Sequence, residues 1–317
     1  MPRVAAYGDL LLDVIMYFDE ELSLSDLSFV ARGAVVGPGG GAGNFSVAIA
    51  RLGHEATLIS AVGRDPLGSY LVDDLEASSV GVDRVLRLQG PTGVMAVVVG
   101  RDGRRTIFGF RGASALRRIS PEEAHEISSE SDAIYVSGFA VLNEDGPSSI
   151  LNLFGASRGR VALTMLDLSG FGPQHVDVIK GLRGLLDVVA SNLDEAKALV
   201  GSADPEAAVR AIYGLARPRV GAVLKMGAAG SIFFDGNSAV RVPALKVRAV
   251  DTTGAGDAFN AGLMAGLLEG EGPREACRLA SALAAYKVTG EGARHLPRGR
   301  QELERFVEEV GGGWPGG

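Results

Sequence analysis

The sequence holds a single cysteine, Cys277, so an internal disulfide framework is excluded and a reducing compartment fits. Its place in the apolar pattern of residues 275–288 reads as a small buried hydrophobe rather than a reactive thiol. Positive charge is also scarce. Lysine occurs only at positions 180, 197, 225, 246 and 287, and 31 basic residues face 38 acidic ones for a formal net charge of −7. Without a basic excess to neutralise phosphates, a nucleic-acid coat or a membrane-surface role is excluded, while a small anionic ligand held by a few local donors is not. No stretch of about 18 uncharged apolar residues exists, so no membrane-spanning helix is expected. The N-terminus shows no apolar run with a basic flank, since Val4-Ala5-Ala6-Tyr7 passes directly into Gly8-Asp9, so no signal peptide is expected. These absences point to a cytoplasmic protein. The four histidines have no metal-ligand spacing, and none stands in a Ser-His-Asp context.

What is present suits a large α/β protein. Hydrophobic residues make up 46% of 317, enough for a sizeable core. Short apolar runs predict strands at 3–7, 56–62, 133–137, 161–167, 186–190 and 219–225. Between and after them, amphipathic spacing predicts helices near 43–52, 66–79, 121–130, 146–156, 193–200, 255–269 and 273–288. That alternation implies a mostly parallel sheet with helices on both faces. Residues 12–38 and 91–111 break the rhythm as β-rich stretches without a helix. The second reads as a hairpin turning at Arg101-Asp102-Gly103. Two placements fit such strands: a lid over the carboxyl ends of the parallel strands, or an antiparallel extension of the main sheet. The expected division is a core of 1–11, 39–90 and 112–310, a β lid of 12–38 and 91–111, and a flexible tail of 311–317 apart from Trp314.

The segment Val250-Asp251-Thr252-Thr253-Gly254-Ala255-Gly256-Asp257-Ala258-Phe259-Asn260-Ala261-Gly262 carries the most chemistry. Small residues crowd before a helix whose first turn has unpaired N–H groups and partial positive charge, a setting for an anion. An acid there would repel phosphate. Asp257 makes sense if it takes the proton of an attacking hydroxyl, or if it only complements the helix dipole while the glycines pack. A second segment, Gly37-Pro38-Gly39-Gly40-Gly41-Ala42-Gly43-Asn44, feeds a helix ending at Gly53. It matches neither the P-loop nor the dinucleotide fingerprint, which removes a dinucleotide-dependent oxidoreductase from contention. Asn44 there binds substrate hydroxyls or caps the helix.

Together the two segments resemble the paired signatures of the ribokinase-like (PfkB) carbohydrate kinases. Gly40, Asn44, Gly53 and Gly63 match the first signature, and Asp251 to Asp257 with Asn260 and Gly262 match the second. The resemblance spans about residues 3–308 and implies a doubly wound sheet, a β-sheet lid and ATP-dependent phosphorylation of an alcohol with Mg²⁺. It implies Asp257 as general base, with Gly254, Ala255 and Gly256 as the anion hole. It implies a sugar-like acceptor held by Asp13, Gly40, Gly41 and Asn44, with Arg111 from the lid return; Arg104, Arg105 and Arg111 either meet a phosphorylated or carboxylated substrate or are solvated lid charges. It implies nucleotide contacts from Asn192, Lys225, Gly227, Gly230, Gly256 and Asn260, a water-mediated magnesium contact from Glu195, and a monovalent cation near Asp251. A homodimer through the lid is a further expectation.

The acceptor stays open among sugar, sugar acid, sugar phosphate and nucleoside. Leu11 and Gly41 stand where ribokinase proper commonly has asparagine and lysine. Arg111-Gly112-Ala113-Ser114-Ala115 resembles members acting on fructose or 2-keto-3-deoxy sugar acids, while Asp167-Leu168-Ser169-Gly170 lacks the asparagine and arginine of the sugar-acid kinases. A catalytically silent sugar-binding relative is the alternative from another class, and the intact Gly254–Asp257 run counts against it.

Overall fold

The computed structural model describes residues 1–19, 28–101 and 105–311. The 102–103 turn, Arg104 and the tail from 312 on, including Trp314, lie outside those residues. In chain order the first elements are β1 (Arg3–Tyr7), β2 (Leu11–Tyr17), β3 (Gly33–Gly39), α1 (Gly41–Arg51), β4 (Glu55–Gly63), α2 (Pro66–Ala77), β5 (Val80–Gly81) and β6 (Val85–Leu88). Next come β7 (Thr92–Val99), β8 (Arg105–Gly112), α3 (Pro121–Glu130), β9 (Ala133–Val136), α4 (Gly146–Ser157), β10 (Leu163–Asp167) and α5 (Val176–Gly181). The last are β11 (Val188–Asn192), α6 (Leu193–Val200), α7 (Pro205–Ala216), β12 (Gly221–Lys225), β13 (Ser231–Phe234), β14 (Ala239–Val242), α8 (Ala255–Leu268), α9 (Pro273–Val288) and α10 (Arg300–Glu309).

Sheet order is β14-β13-β12-β11-β10-β9-β1-β4-β5, with β6 also on β4. From β12 to β5 every pairing is parallel, and β13 and β14 add an antiparallel margin. The central strands are buried along their length, as Ala133–Val136 and Leu163–Asp167 show, because helices cover both faces. One face packs on α1, α8, α9 and α10 through Phe45, Ile49, Leu263, Leu283 and Leu303. The other packs on α3 to α7 through Ile127, Phe154, Ile179, Leu199 and Ile212. Cys277 is buried in the first of these layers, and burial pushes its thiol up to about 12, as an inert core residue requires.

Local chemistry sets the helix starts. Asp65, Ser120 and Asp204 each accept a backbone N–H two or three residues on, and each precedes a proline at the first helical position. α6 opens on a capping box in which Asn192 and Glu195 exchange side-chain and backbone bonds, and it stops at Gly201 in the left-handed region.

The two β-rich stretches meet in a separate four-stranded sheet, ordered β3-β2-β7-β8. They do not extend the main sheet. β2 runs parallel to β7, a pairing that joins the two stretches directly. Asp13 and Met95 are register partners that line the cavity between this lid and the core. Residues one step out of phase, Val14, Val36, Ala96, Phe108 and Phe110, share the lid's outer face.

Candidate active site

The cavity, of ≈ 790 Å³, lies along the carboxyl edge of the parallel sheet. Five neighbouring strands deliver a lining residue at or just beyond their ends: Lys225 from β12, Asn192 from β11, Asp167 from β10, Ser137 from β9 and Asp9 from β1. The lid adds Leu11, Asp13 and Met95, the Gly40–Gly41 loop with Asn44 adds a third side, and the N-terminus of α8 closes the fourth.

Asp257 is the third residue of α8, in its first turn. Its Oδ2 accepts a hydrogen bond from Asn44 Nδ2 at 2.9 Å. Burial pushes its carboxyl up to about 7; Asp167 and Asp13 add to the rise, while the Asn44 bond and Lys225 oppose it. One glycine leaves it room, and a second shapes the turn before it. A Cβ on Gly41 would sit 3.3 Å from Asp257 Oδ1 and 2.7 Å from Ser137 Oγ, so glycine keeps the approach to Oδ1 open. Gly254 caps α8 at φ 77°, and a Cβ there would meet the Ala293 carbonyl at 2.4 Å. No side chain caps α8; the Ala255 N–H donates to the Thr252 carbonyl at 3.2 Å, and Ala255 and Gly256 line the cavity, so the next N–H groups of the first turn are the ones left for a ligand.

Behind that helix end lies a buried polar cluster. Asp167 Oδ2 accepts from Lys225 Nζ at 2.5 Å and from Asn260 Nδ2 at 2.7 Å. Lys225 Nζ also donates to Asn260 Oδ1 at 3.3 Å, and Asn260 Nδ2 reaches the Tyr135 hydroxyl at 3.2 Å. Burial disfavours the Lys225 ammonium, but Asp167, Glu195 and Asp257 more than offset it and raise its pKa. The ammonium stands 3.5 Å from where a Cβ on Gly256 would be, next to the helix N-terminus. Asn260 is fully buried, does not line the cavity, and holds Asp167 and Lys225 in place.

The other expected residues separate clearly. Asp13, 7% exposed, faces the cavity, and burial pushes its carboxyl up to about 6, with Arg294 opposing the rise and Asp251 adding to it. Gly40, Gly41, Asn192, Gly227 and Gly230 all line the cavity. Asn44 is not the cap of α1, since Gly40 holds that position, so its amide is left for Asp257. Glu195 lines the cavity with one oxygen accepting the Asn192 N–H at 2.9 Å, and burial, then Asp167, pushes it up to about 7. Arg111 is the expected substrate residue that does not reach the cavity. Its Nε and one NH₂ grip Asp9 at 2.9 and 2.6 Å, and the same NH₂ reaches Asn143 at 2.6 Å. Such a bidentate buried pair fixes the lid return to the end of β1.

Arg294 was missed by sequence reasoning. It follows α9 and donates to Asn44 Oδ1, yet it sits between Gly292-Ala293 and His295-Leu296 with no local pattern to mark it. Lys287 was missed because a lysine in the last turn of a helix reads as ordinary dipole complementation; it is fully buried, with Nζ 2.7 Å from the Asp251 carbonyl oxygen. Among the described residues no group of three or more His, Cys, Asp or Glu could hold a metal ion directly, and no helix is long and apolar enough to cross a membrane.

Comparison with solved structures assigns the ribokinase-like α/β fold. Arabidopsis thaliana ribokinase complexed with ribose and ATP is similar with a TM-score of 0.82 at 23% identity, over 97% of this chain and 99% of that one. Sequence comparison goes further. The description of the pfkB family carbohydrate kinases matches residues 1–298. The chain is 32% identical over 283 residues to the 2-dehydro-3-deoxygluconokinase of Thermoproteus tenax, covering 86% of this chain and 85% of that protein. It is 26% identical over 261 residues to the ATP-dependent 6-phosphofructokinase of Thermoanaerobacterium thermosaccharolyticum, covering 80% of each. The chain belongs to the pfkB family of carbohydrate kinases, and it is a phosphotransferase.

Proposed function

We propose that the protein transfers the γ-phosphoryl group of ATP to a hydroxyl of a sugar or sugar-like small molecule, with Asp257 taking the hydroxyl proton. One observation carries this reading: Asp257, poised near neutrality, stands at the uncapped N-terminus of α8 between Asp13 and Asn44 on one side and Lys225 on the other. The acceptor fits between the lid and the Gly40–Gly41 loop, where Asp13 can accept hydrogen bonds from adjacent hydroxyls. The nucleotide fits the far end, where Ala244, Leu245, Val247, Ala284 and Val288 make an apolar slot for a base. The phosphoryl group then lies between the two, facing the α8 amides and Lys225. The hydroxyl oxygen bonds to the γ-phosphorus as the bridging oxygen leaves with ADP, and the proton passes to Asp257.

Magnesium fits this site only in company with phosphates and water. Glu195 faces the cavity and can accept a hydrogen bond from a water on the ion, and Mg²⁺ characteristically keeps such waters. When bound, it would neutralise charge on the phosphate oxygens. A monovalent cation near Asp251 fits less well. The Asp251 carboxyl already accepts from Thr253 N at 2.8 Å, Gly292 N at 3.0 Å and the Tyr17 hydroxyl at 3.4 Å, and the Lys287 ammonium sits on its carbonyl. In this reading Lys287 supplies the positive charge there. The outer lid face, with Val36, Phe108 and Phe110 exposed by 59%, 48% and 55%, suits a second copy of this chain, and sedimentation would show a dimer.

The acceptor is found by assaying sugars, sugar acids, sugar phosphates and nucleosides with Mg-ATP. Stoichiometric ADP and phosphorylated acceptor support the reading. Loss of ATP to water alone, with every acceptor, contradicts it.

A further inference from the structure

We propose that Arg294 is a positioning residue for Asp257: it fixes the amide of Asn44 so that the NH₂ group, and not the carbonyl oxygen, faces the Asp257 carboxylate. The inference rests on the assignment of Asp257 as base for its catalytic consequence, although the geometry stands by itself.

Arg294 lies in the turn after α9, its side chain only 9% exposed, and three different elements converge on its guanidinium. Nε donates to Asn44 Oδ1 on α1 at 3.1 Å. One NH₂ group is paired with Asp74 of α2, and the other reaches the Gly39 carbonyl at the end of β3 at 3.4 Å. A guanidinium can only donate and an ionised carboxylate can only accept. An amide bridging the two has one satisfactory orientation, oxygen toward Arg294 and nitrogen toward Asp257. Rotating it would set donor against donor at one end and acceptor against acceptor at the other. Asn44 is buried, so water does not relieve that mismatch.

The fold makes space for this arrangement. A Cβ on Gly43 would stand 2.7 Å from an NH₂ nitrogen of Arg294, so the glycine beside Asn44 forms the notch that holds the guanidinium. With Asp257 Oδ2 committed to Asn44, Oδ1 faces the gap left by Gly41, where the acceptor hydroxyl would arrive. Arg294 therefore acts on which oxygen of the base is offered, and on how readily that base is ionised. The titratable groups around Asp257 are Asp13 from β2, Tyr135 from β9, Asp167 from β10 and Lys225 from β12, and those around Arg294 are Asp74 and Tyr70 from α2 and Asp13. Since Asp13 feels both, loss of Arg294 could act on Asp257 through Asp13 rather than through Asn44, and the test must separate the two routes.

The test is a ¹³C-carboxyl NMR titration of Asp257 in the unliganded enzyme, with its resonance assigned by its loss in Asp257→Asn. Arg294→Gln is expected to raise the midpoint by about one pH unit, since the amide is free to turn its oxygen toward the carboxylate. Asn44→Ala should raise it as well. Arg294→Gln added to Asn44→Ala should then shift it no further, because the route through the amide is already gone. Gly43→Ala presses on the NH₂ nitrogen that reaches Gly39 and not on the one paired with Asp74, so it displaces the guanidinium without removing it, and alanine favours the helix, so it carries the test should Arg294→Gln not fold. It should shift the midpoint in the same direction. An unchanged midpoint in Arg294→Gln or Gly43→Ala, or equal shifts from Arg294→Gln with and without Asn44, overturns the proposal. The titration reads no turnover, so failure of the kinase assignment appears separately, as a wild-type enzyme that phosphorylates no acceptor.

Discussion

Asn44 donates to Asp257 across 2.9 Å although 213 residues of chain separate them. The bond ties the helix that follows the glycine loop to the helix that follows the small-residue run. A second contact reinforces it: Phe45 stacks on Tyr135 at 3.7 Å, and Tyr135 accepts from Asn260 of the same helix as Asp257. The two helix starts that border the cavity are thereby held at a fixed separation, which the proposed in-line transfer would require.

The rate should depend on pH through Asp257. A general base works only when ionised, and burial holds this one at about 7. In the unliganded enzyme's profile, kcat/KM for the acceptor should be level above neutrality and fall about tenfold per pH unit well below that value. Asp13, at about 6, adds a second protonation on the acceptor side that should appear in kcat/KM. A pH–rate profile with no acid limb between pH 5 and 8 would contradict this assignment.

Lys225→Met should damage stability and nucleotide use separately. It leaves the Asp167 carboxylate buried without its cation, which costs about 3–5 kcal/mol. Adding Asp167→Asn removes the unpaired charge and should recover much of the melting temperature. The raised KM for ATP should persist in the double variant, because the ammonium beside Gly256 is still missing. Thermal melts and ATP saturation curves for both variants check this.

Lys287 replaces a bound cation in the account given above. The wild-type rate should therefore not change when K⁺ is exchanged for a bulky organic cation. Lys287→Met should lose activity in the organic cation and regain part of it in K⁺ or NH₄⁺. A wild-type enzyme that needs K⁺ would contradict the role given to Lys287.

Much of this architecture was legible in the chain because its signals are local. Val4–Tyr7 and Ala133–Val136 are continuous buried runs within the expected strands, and Pro121 and Pro273 mark helix starts, so α3 and α9 begin and end where the periodicity predicts. Other elements lack such marks. The apolar run at 161–167 begins as a strand only at Leu163, since Val161 and Ala162 complete the turn after α4. The β13–β14 margin and α7 were not anticipated, because short apolar stretches such as Ser231–Phe234 do not announce their partner. The same limit applies at the site. Asp257, Asn44 and Asp13 sit in recognisable patterns, whereas Arg294, Lys287 and the Asp167–Lys225–Asn260 cluster depend on contacts between distant segments. Arg111 shows the same limit from the other side: its guanidinium is paired with Asp9, a contact across 102 positions that no sequence pattern reveals.

The most direct measurement is the single-turnover rate of phosphoryl transfer by Asp257→Asn with an acceptor that the wild-type enzyme phosphorylates. Asparagine keeps the size of the side chain but cannot take a proton, so the rate should drop by roughly 10² to 10⁴ while ATP binding and the fold persist. A variant that transfers phosphate at the wild-type rate would contradict the account.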